Sequence, residues 1–149
     1  MSAADVAVER FDQGYSCSQS VFSACAELRG VDLELALRIP AGLGGGVART
    51  AQVCGCVTGA ILAIGLAQRS VSPGENRAER EKTYETGQRF IREFAARHGS
   101  TVCRELLGCD ISTPEGLGEA RERDLFKMRC RQYVRDAVEI VEEILSGAN

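Results

Sequence analysis

The sequence is poor in several residues and patterns that mark common classes of protein. Its 149 residues include one histidine, three prolines and no tryptophan, and no two cysteines are spaced as C-x-x-C. The usual zinc ribbon, ferredoxin, thioredoxin and haem-attachment motifs are therefore excluded. Because prolines are few and low-complexity runs are absent, we expect a folded chain. A net charge of −3 leaves no excess of basic residues, so nucleic acid is not an expected partner.

Charge is missing altogether from residues 50–68, a stretch long enough for a membrane span. The stretch also contains polar side chains and three glycines, and Arg49 and Arg69 flank it. We therefore predict a buried core helix over about residues 52–67 and no membrane insertion. The first residues lack the basic and apolar segments of a secretory signal, so a cytoplasmic location is expected.

Strand-like alternation of useful length, internal repeats and a linker between domains are missing as well. Apolar residues recur instead at spacings of three and four, which is typical of helices that bury one face. The pattern predicts an all-α helical bundle, a single domain over residues 1–149, in which the central helix packs against a last helix over about 124–145. The other helices are predicted over about 2–13, 17–28, 31–38, 75–97 and 101–107, and from Pro114 onward, with apolar stripes that include Leu28, Tyr84 and Ile91.

Two other features have ordinary structural interpretations. The glycines between residues 42 and 46 lack the Lys-Ser/Thr ending of a phosphate loop, so they indicate close packing. The only histidine, His98, lies at a predicted helix end, where a capping or surface role is expected. A second role for His98, activation of the Cys103 thiol, stays open.

Sulfur is the group that the sequence has in excess, and its seven cysteines are the natural candidates for chemistry. In a reducing compartment they are not expected to form permanent disulfides, and an odd number cannot all pair. Cys17 follows Ser16, the first residue of a predicted capping box. Like Cys103 and Cys54, it lies at a predicted helix start, where free amides and the helix dipole lower the pKa of a thiol. Each could instead be a small buried apolar residue, which is the interpretation for Cys25.

Several motifs occur in a definite order along residues 15–137. They are Cys17-Ser18-Gln19, the Gly44-Gly45-Gly46 turn with Arg49, Cys54-Gly55-Cys56-Val57-Thr58-Gly59-Ala60, the segment from Phe94 to Gly99 leading into Cys103-Arg104-Glu105-Leu106-Leu107-Gly108, and Cys130 before Tyr133-Val134. In this order they resemble the C_GCAxxG_C_C family of redox-active proteins. The resemblance implies a helical bundle and carries the family's four recurrent cysteines onto Cys17, Cys54, Cys103 and Cys130.

One position departs from the family pattern, because Cys56 stands where the family usually has alanine. The extra thiol could be a further metal ligand or a resolving thiol, or have no role. Residues two apart on a helix point about 200° away from each other, so Cys54 and Cys56 can share a metal only if the helix begins between them. The roles of Cys56 and Cys109 stay open.

The resemblance also implies a distant kinship with split-Soret cytochromes, which hold haem and are associated with an iron–sulfur centre. Covalent haem is not expected here, because the attachment motif is missing. Four thiolates from separate helices suit an iron–sulfur cluster or zinc, since both accept an all-cysteine shell. The same residues could instead form two redox-active disulfides.

We therefore predict a redox protein, either an oxidoreductase or an electron carrier, that uses Cys17, Cys54, Cys103 and Cys130. An iron–sulfur cluster or another metal is preferred over metal-free chemistry. Two alternatives stay open: thiol–disulfide exchange without a metal, and a non-catalytic helical adaptor or homo-oligomer whose cysteines only fill the core. The sequence does not specify the redox partner.

Overall fold

The computed structural model describes residues 1–147, and in that range it contains helices and no strand. The α-helices in chain order are α1 (Ala3–Asp12), α2 (Cys17–Glu27), α3 (Leu33–Arg38), α4 (Gly55–Leu66), α5 (Asn76–His98), α6 (Cys103–Leu107), α7 (Pro114–Glu122) and α8 (Arg131–Leu145). A short 3-10 turn, Ala41–Leu43, follows α3, and a turn of π-helix, Phe126–Cys130, leads into α8. The predicted all-α fold is confirmed.

Helix α4 lies at the centre, where it packs on α2, α5 and α8. Its glycines permit an unusually close approach to α2. A Cβ added at Gly59 would lie 2.9 Å from the Ser18 carbonyl oxygen, and one added at Gly55 would lie 3.1 Å from the Cβ of Cys17. The two helices therefore meet nearly backbone to backbone, which brings the start of α4 beside the start of α2.

The buried apolar residues form two clusters. The main core is shared by α1, α2, α4, α5 and α8, and it contains Cys25 and Phe90 at zero exposure. A smaller second core consists of Ala51, Cys103, Leu107, Ile111, Ala120, Leu125 and Cys130. Phe11, Cys17 and Tyr133 pack against both clusters. These three side chains therefore mark the seam between the two cores.

The start of α4 differs from the prediction, because the helix begins at Gly55 and not near residue 52. Val53 instead pairs with Val102 in an isolated antiparallel bridge. The Cys54 amide donates to the Thr101 carbonyl at 2.8 Å, and the Cys103 amide donates to the Gln52 carbonyl at 2.6 Å. Residues 52–54 are thus extended because they pair with a segment distant in sequence, which periodicity does not reveal.

Other predicted boundaries and stripes need smaller corrections. Helix α3 begins at Leu33 because the Asp32 carboxylate caps it by accepting from the Leu35 amide. The predicted last helix is divided into the π-turn and α8. Three residues predicted on buried stripes, Leu28, Tyr84 and Ile91, are exposed. Leu28 is the C-cap of α2, and α5 buries the stripe of Gly87, Phe90 and Phe94.

Over residues 1–147, none of the helices combines the length and the apolar content needed to cross a bilayer.

Candidate functional site

The four cysteines carried over from the family motifs lie on the wall of one cavity. Cys17, Cys54, Cys103 and Cys130 all line this space, which has a volume of about 1440 Å³. The remaining cysteines, Cys25, Cys56 and Cys109, are not among its lining residues in the described chain. All seven are free thiols. The four cysteines of the family pattern therefore share one cavity.

Three of the four thiols stand at helix starts, and Cys130 lies where the π-turn continues without a break into α8. Cys17 is the first residue of α2 and Cys103 is the first residue of α6. Cys54 immediately precedes α4, and Cys130 immediately precedes α8. Three helix N-termini therefore meet at the cavity, and the amide dipoles of α2 and α4 favour negative charge there.

The start of α2 is fixed by the predicted capping box. The Ser16 hydroxyl accepts from the Gln19 amide at 3.3 Å, and the Gln19 side chain accepts from the Ser16 amide at 3.0 Å. Gln19 also donates to the Leu37 carbonyl at 3.1 Å, which ties this helix start to α3. Cys17, which follows Ser16 directly, is held on a rigid helix end.

A glycine-rich segment forms another part of the cavity wall. A Cβ added at Gly46 would lie 2.7 Å from the Cys103 Cβ and 2.6 Å from the Gln52 amide nitrogen, so only glycine fits there. The segment continues through the non-glycine residues Val47, Ala48, Arg49 and Ala51, whose φ angles lie between 51° and 68°. Left-handed backbone costs L-residues about 1–2 kcal/mol each, so this wall stores strain that its packing must offset.

Cys17 is the thiol that the site makes acidic. Hydrogen bonds from Cys130 and then from Cys56 hold the pKa of Cys17 well below its usual range. Its side chain is half-buried and lines the cavity, so it remains accessible to a small reactant. A thiolate of this kind is the form that attacks disulfides and binds metals.

The neighbours of Cys17 show the opposite behaviour. Hydrogen bonding to Cys17 and then burial raise the pKa of Cys130, whereas burial is the leading cause at Cys56. Burial and the charges of Cys54 and Cys17 raise the pKa of Cys103 to about 12. The prediction that a helix start lowers the pKa of Cys103 is therefore wrong, because desolvation outweighs the dipole of a five-residue helix.

The structure also explains how Cys56 reaches the site. Because α4 begins at Gly55, Cys54 lies before the helix and Cys56 lies within its first turn. This is the arrangement under which two residues so close in sequence can face one site. Cys56 has zero exposure and hydrogen-bonds with Cys17 and Cys54, so it supports the site from behind the cavity wall.

Cys25 and Cys109 have different surroundings. Cys25 is enclosed in the main core, where burial is the main reason that its pKa is raised. Cys109 is only partly buried, and desolvation together with Glu119 raises its pKa. Neither thiol is placed for chemistry at the cavity.

His98 is more enclosed than the sequence suggests. Its Nε2 lies 3.0 Å from Asp136 Oδ2, the two side chains are 11% and 10% exposed, and the nitrogen has no properly oriented hydrogen bond to any described residue. Its ring packs on Phe94 and Tyr133, each with a centroid separation of 4.8 Å. The expected surface role is therefore wrong. Burial lowers the pKa of His98, and no contact joins it to Cys103 in the described chain.

The metal prediction has two structural aspects. The donor set fits a cluster or zinc, because four cysteines surround one cavity and both groups accept all-cysteine shells. Within residues 1–147, however, no three His, Cys, Asp or Glu side chains are already gathered as a metal-holding group.

Comparison with known proteins supports the family assignment. Residues 15–144 match the family model described as "Putative redox-active protein (C_GCAxxG_C_C)". Neither a curated protein nor a solved structure shows a significant match. Since the match spans most of the sequence and the cavity gathers the four cysteines of the motif, the chain belongs to the C_GCAxxG_C_C family of redox-active proteins.

Proposed function

We propose that this chain is a thiol-based redox protein in which Cys17 is the reacting thiolate and Cys130 is its partner. One observation carries the proposal: Cys17 is stabilised as a thiolate by hydrogen bonds from Cys130 and Cys56 on the wall of an open cavity. A thiolate beside a protonated thiol is the pairing used in thiol–disulfide exchange, because the first attacks and the second resolves.

The reaction balances without any further reactant. The Cys17 thiolate attacks one sulfur of a substrate disulfide, so a Cys17–substrate bond forms while the substrate's S–S bond breaks and releases one thiolate. Cys130 loses its proton to that thiolate and attacks Cys17. The second substrate thiolate leaves as the Cys17–Cys130 disulfide forms. The substrate disulfide gains two electrons and the pair of cysteines loses two.

The loss of the negative charge on Cys17 explains why Cys130 attacks only in the second step. While Cys17 is a thiolate, its hydrogen bond keeps the proton on Cys130 and raises the pKa of that thiol. When Cys17 becomes part of a mixed disulfide, this negative charge disappears. The pKa of Cys130 then falls, and the resolving thiolate becomes available only after the substrate is attached.

A second candidate function is electron transfer by a bound iron–sulfur cluster. It is favoured by the shared position of Cys17, Cys54, Cys103 and Cys130 on one cavity, since exchange by one pair does not require Cys54 or Cys103. These four residues would hold the cluster, and Cys56 is a candidate for a fifth contact. The group would supply one-electron redox chemistry; zinc in the same shell would instead stabilise the fold.

Anaerobic purification followed by redox titration of the metal-free protein tests the proposal. We expect a reversible two-electron couple and a Cys17–Cys130 disulfide that mass spectrometry identifies after proteolysis. The couple should vanish in Cys17→Ser and Cys130→Ser and persist in Cys109→Ser, which replaces a thiol outside the cavity.

Two results would overturn thiol exchange. Iron with acid-labile sulfide, bound stoichiometrically and lost on Cys54→Ser, would establish the cluster function instead. Labelling of all seven thiols only in denaturant would support the adaptor interpretation, in which the cysteines are core residues.

A further inference from the structure

The charge of the cavity is opposite to the charge of the chain. The chain carries a net charge of −3, yet the charged residues that line the cavity are four cations and two carboxylates. They are Arg49, Arg121, Lys127, Arg131, Asp12 and Asp124. A concave wall of one predominant charge concentrates ligands of the opposite charge.

Half of the cations on the cavity wall have no carboxylate on the wall to balance them. Arg131 pairs with Asp12, with its Nε 2.9 Å from Oδ1 and its Nη2 3.0 Å from Oδ2. Lys127 lies close enough to the same carboxylate to help lower the pKa of Asp12, whereas Arg49 and Arg121 have no ion pair or hydrogen bond through their side chains with any residue in 1–147. These last three cations are exposed at the cavity, so a ligand can reach them.

Backbone donors without acceptors lie on the same wall as Arg49. The amides of Gly45 and Gly46 donate to no acceptor in the described part of the chain, whereas the amides of the next residues are satisfied by carbonyls of the same segment. Both glycines line the cavity. Successive free amides in a turn of this kind form a concave anion-binding site.

The unpaired backbone amides and Arg49 lie at the same part of the cavity wall. A Cβ added at Gly45 would lie 2.8 Å from the Arg49 Cα, so the backbone of Arg49 lies directly against Gly45. Gly46 in turn lies against Cys103, one of the four cavity thiols. An anionic group bound at this wall would therefore lie in the same cavity as Cys17.

We propose that the substrate of this cavity is a small organic disulfide that carries carboxylates. One carboxylate would be held by the Gly45 and Gly46 amides and Arg49, and another by Arg121 and Lys127. The inference rests on the proposed exchange at Cys17 and follows the same balance: the small disulfide becomes two carboxylate thiols, and Cys17 and Cys130 become a disulfide. The cavity of about 1440 Å³ exceeds what such a molecule requires.

Three aliphatic disulfides that differ mainly in charge test the proposal. The probes are 3,3′-dithiodipropionate, an anion, bis(2-hydroxyethyl) disulfide, which is neutral, and cystamine, a cation. The rate of Cys17 oxidation in the fully reduced protein is divided by the rate of a free cysteine derivative under the same conditions. We expect the normalised rate to fall at least tenfold from anion to cation, and the difference to shrink in high salt.

A matched pair of double variants tests whether the cavity cations cause the dependence of the rate on probe charge. Arg121→Gln with Lys127→Gln should slow the reaction of the anionic disulfide three- to tenfold and change the neutral disulfide less than twofold. Arg77→Gln with Arg80→Gln removes the same charge from exposed positions of α5 outside the cavity and should change neither rate.

The possible outcomes distinguish a wrong substrate class from a wrong reaction. Fast oxidation of Cys17 with no dependence on probe charge, or with equal effects of both double variants, would overturn the anionic substrate and leave thiol exchange standing. Oxidation no faster than that of the free thiol with all three probes would overturn thiol exchange itself. Faster reaction with an unfolded disulfide-bonded protein than with dithiodipropionate would identify a protein substrate and also overturn the inference.

Discussion

Helix α2 carries two cysteines in opposite environments. Cys17 at its start lines the cavity and has a lowered pKa, whereas Cys25 near its end has zero exposure and a raised pKa. Two residues of the same type on one helix are thus a candidate nucleophile at its start and a core residue near its end. The difference lies in the neighbours: thiol donors surround Cys17, while apolar groups and Glu142 surround Cys25. Residue type alone does not define a redox site.

The largest expected effect separates the two ends of α2 by reactivity. Cys17→Ser should slow disulfide exchange by at least about 100-fold, because the hydroxyl does not ionise near neutral pH. Cys25→Ala should leave the exchange rate unchanged and lower the free energy of unfolding by about 1 kcal/mol, since it removes a buried sulfur. Stopped-flow exchange and urea unfolding measure the two quantities. Equal loss of exchange in both variants would contradict the comparison.

A second prediction concerns the glycine-rich wall of the cavity. Gly46→Ala should lower the free energy of unfolding by about 2–4 kcal/mol, because its Cβ would clash with Cys103 and Gln52 at a left-handed position. Gly118→Ala is the matched control: no atom lies within 4 Å of the added Cβ, and α7 should gain about 0.5–1 kcal/mol. Chemical unfolding provides both values, and similar values for the two variants would show that the wall is not tightly packed.

The pH dependence of alkylation tests why the pKa of Cys17 is lowered. Because the pKa of Cys17 is lowered, its reaction with iodoacetamide should stay fast as the pH falls through 8.5, the usual thiol value, and decline only below the lowered pKa. Cys130→Ala removes the leading donor and should shift this profile upward by about one pH unit or more. Cys25 should remain unlabelled across the range until the protein unfolds. An unchanged profile in Cys130→Ala would eliminate the hydrogen bond as the cause.

The smallest expected effect concerns His98, which packs on the cavity residue Tyr133 and not on the Cys25 end of α2. Since burial lowers the pKa of His98 in the fold, its contribution to stability is present above the unfolded pKa of about 6.5 and is lost as the pH falls through the lower folded value. His98→Gln should reduce the decline in stability between about pH 6.5 and pH 5 by less than about 1 kcal/mol. Thermal unfolding across this range measures it, and an unchanged slope would contradict the assignment.

Local sequence signals predicted much of the fold. The capping box at Ser16 and the start of α7 at Pro114 are short-range patterns, and both occur as predicted. The family motifs likewise identified the four cysteines that line the cavity. These features depend on neighbours in sequence or on a recognisable order of motifs.

The remaining features depend on contacts between distant segments. The pairing of Val53 with Val102 delays the start of α4, and burial against the second core raises the pKa of Cys103. The ring contacts that enclose His98 come from α8 as well as α5. No periodicity within one helix encodes such effects. The departure at Cys56 was the one visible signal of a further thiol at the site.

The bridge between Val53 and Val102 also bears on the order in which the protein folds. It joins the two segments that flank α4 and α5, so it closes only after the intervening chain has been brought into place. We therefore expect the helices of the main core to associate early and the cavity thiols to meet late. Pulsed hydrogen exchange during refolding would test this: the amides of Cys54 and Cys103 should gain protection after those in the middle of α4. Late assembly would keep the reactive thiolate from forming until the chain that surrounds it is nearly complete.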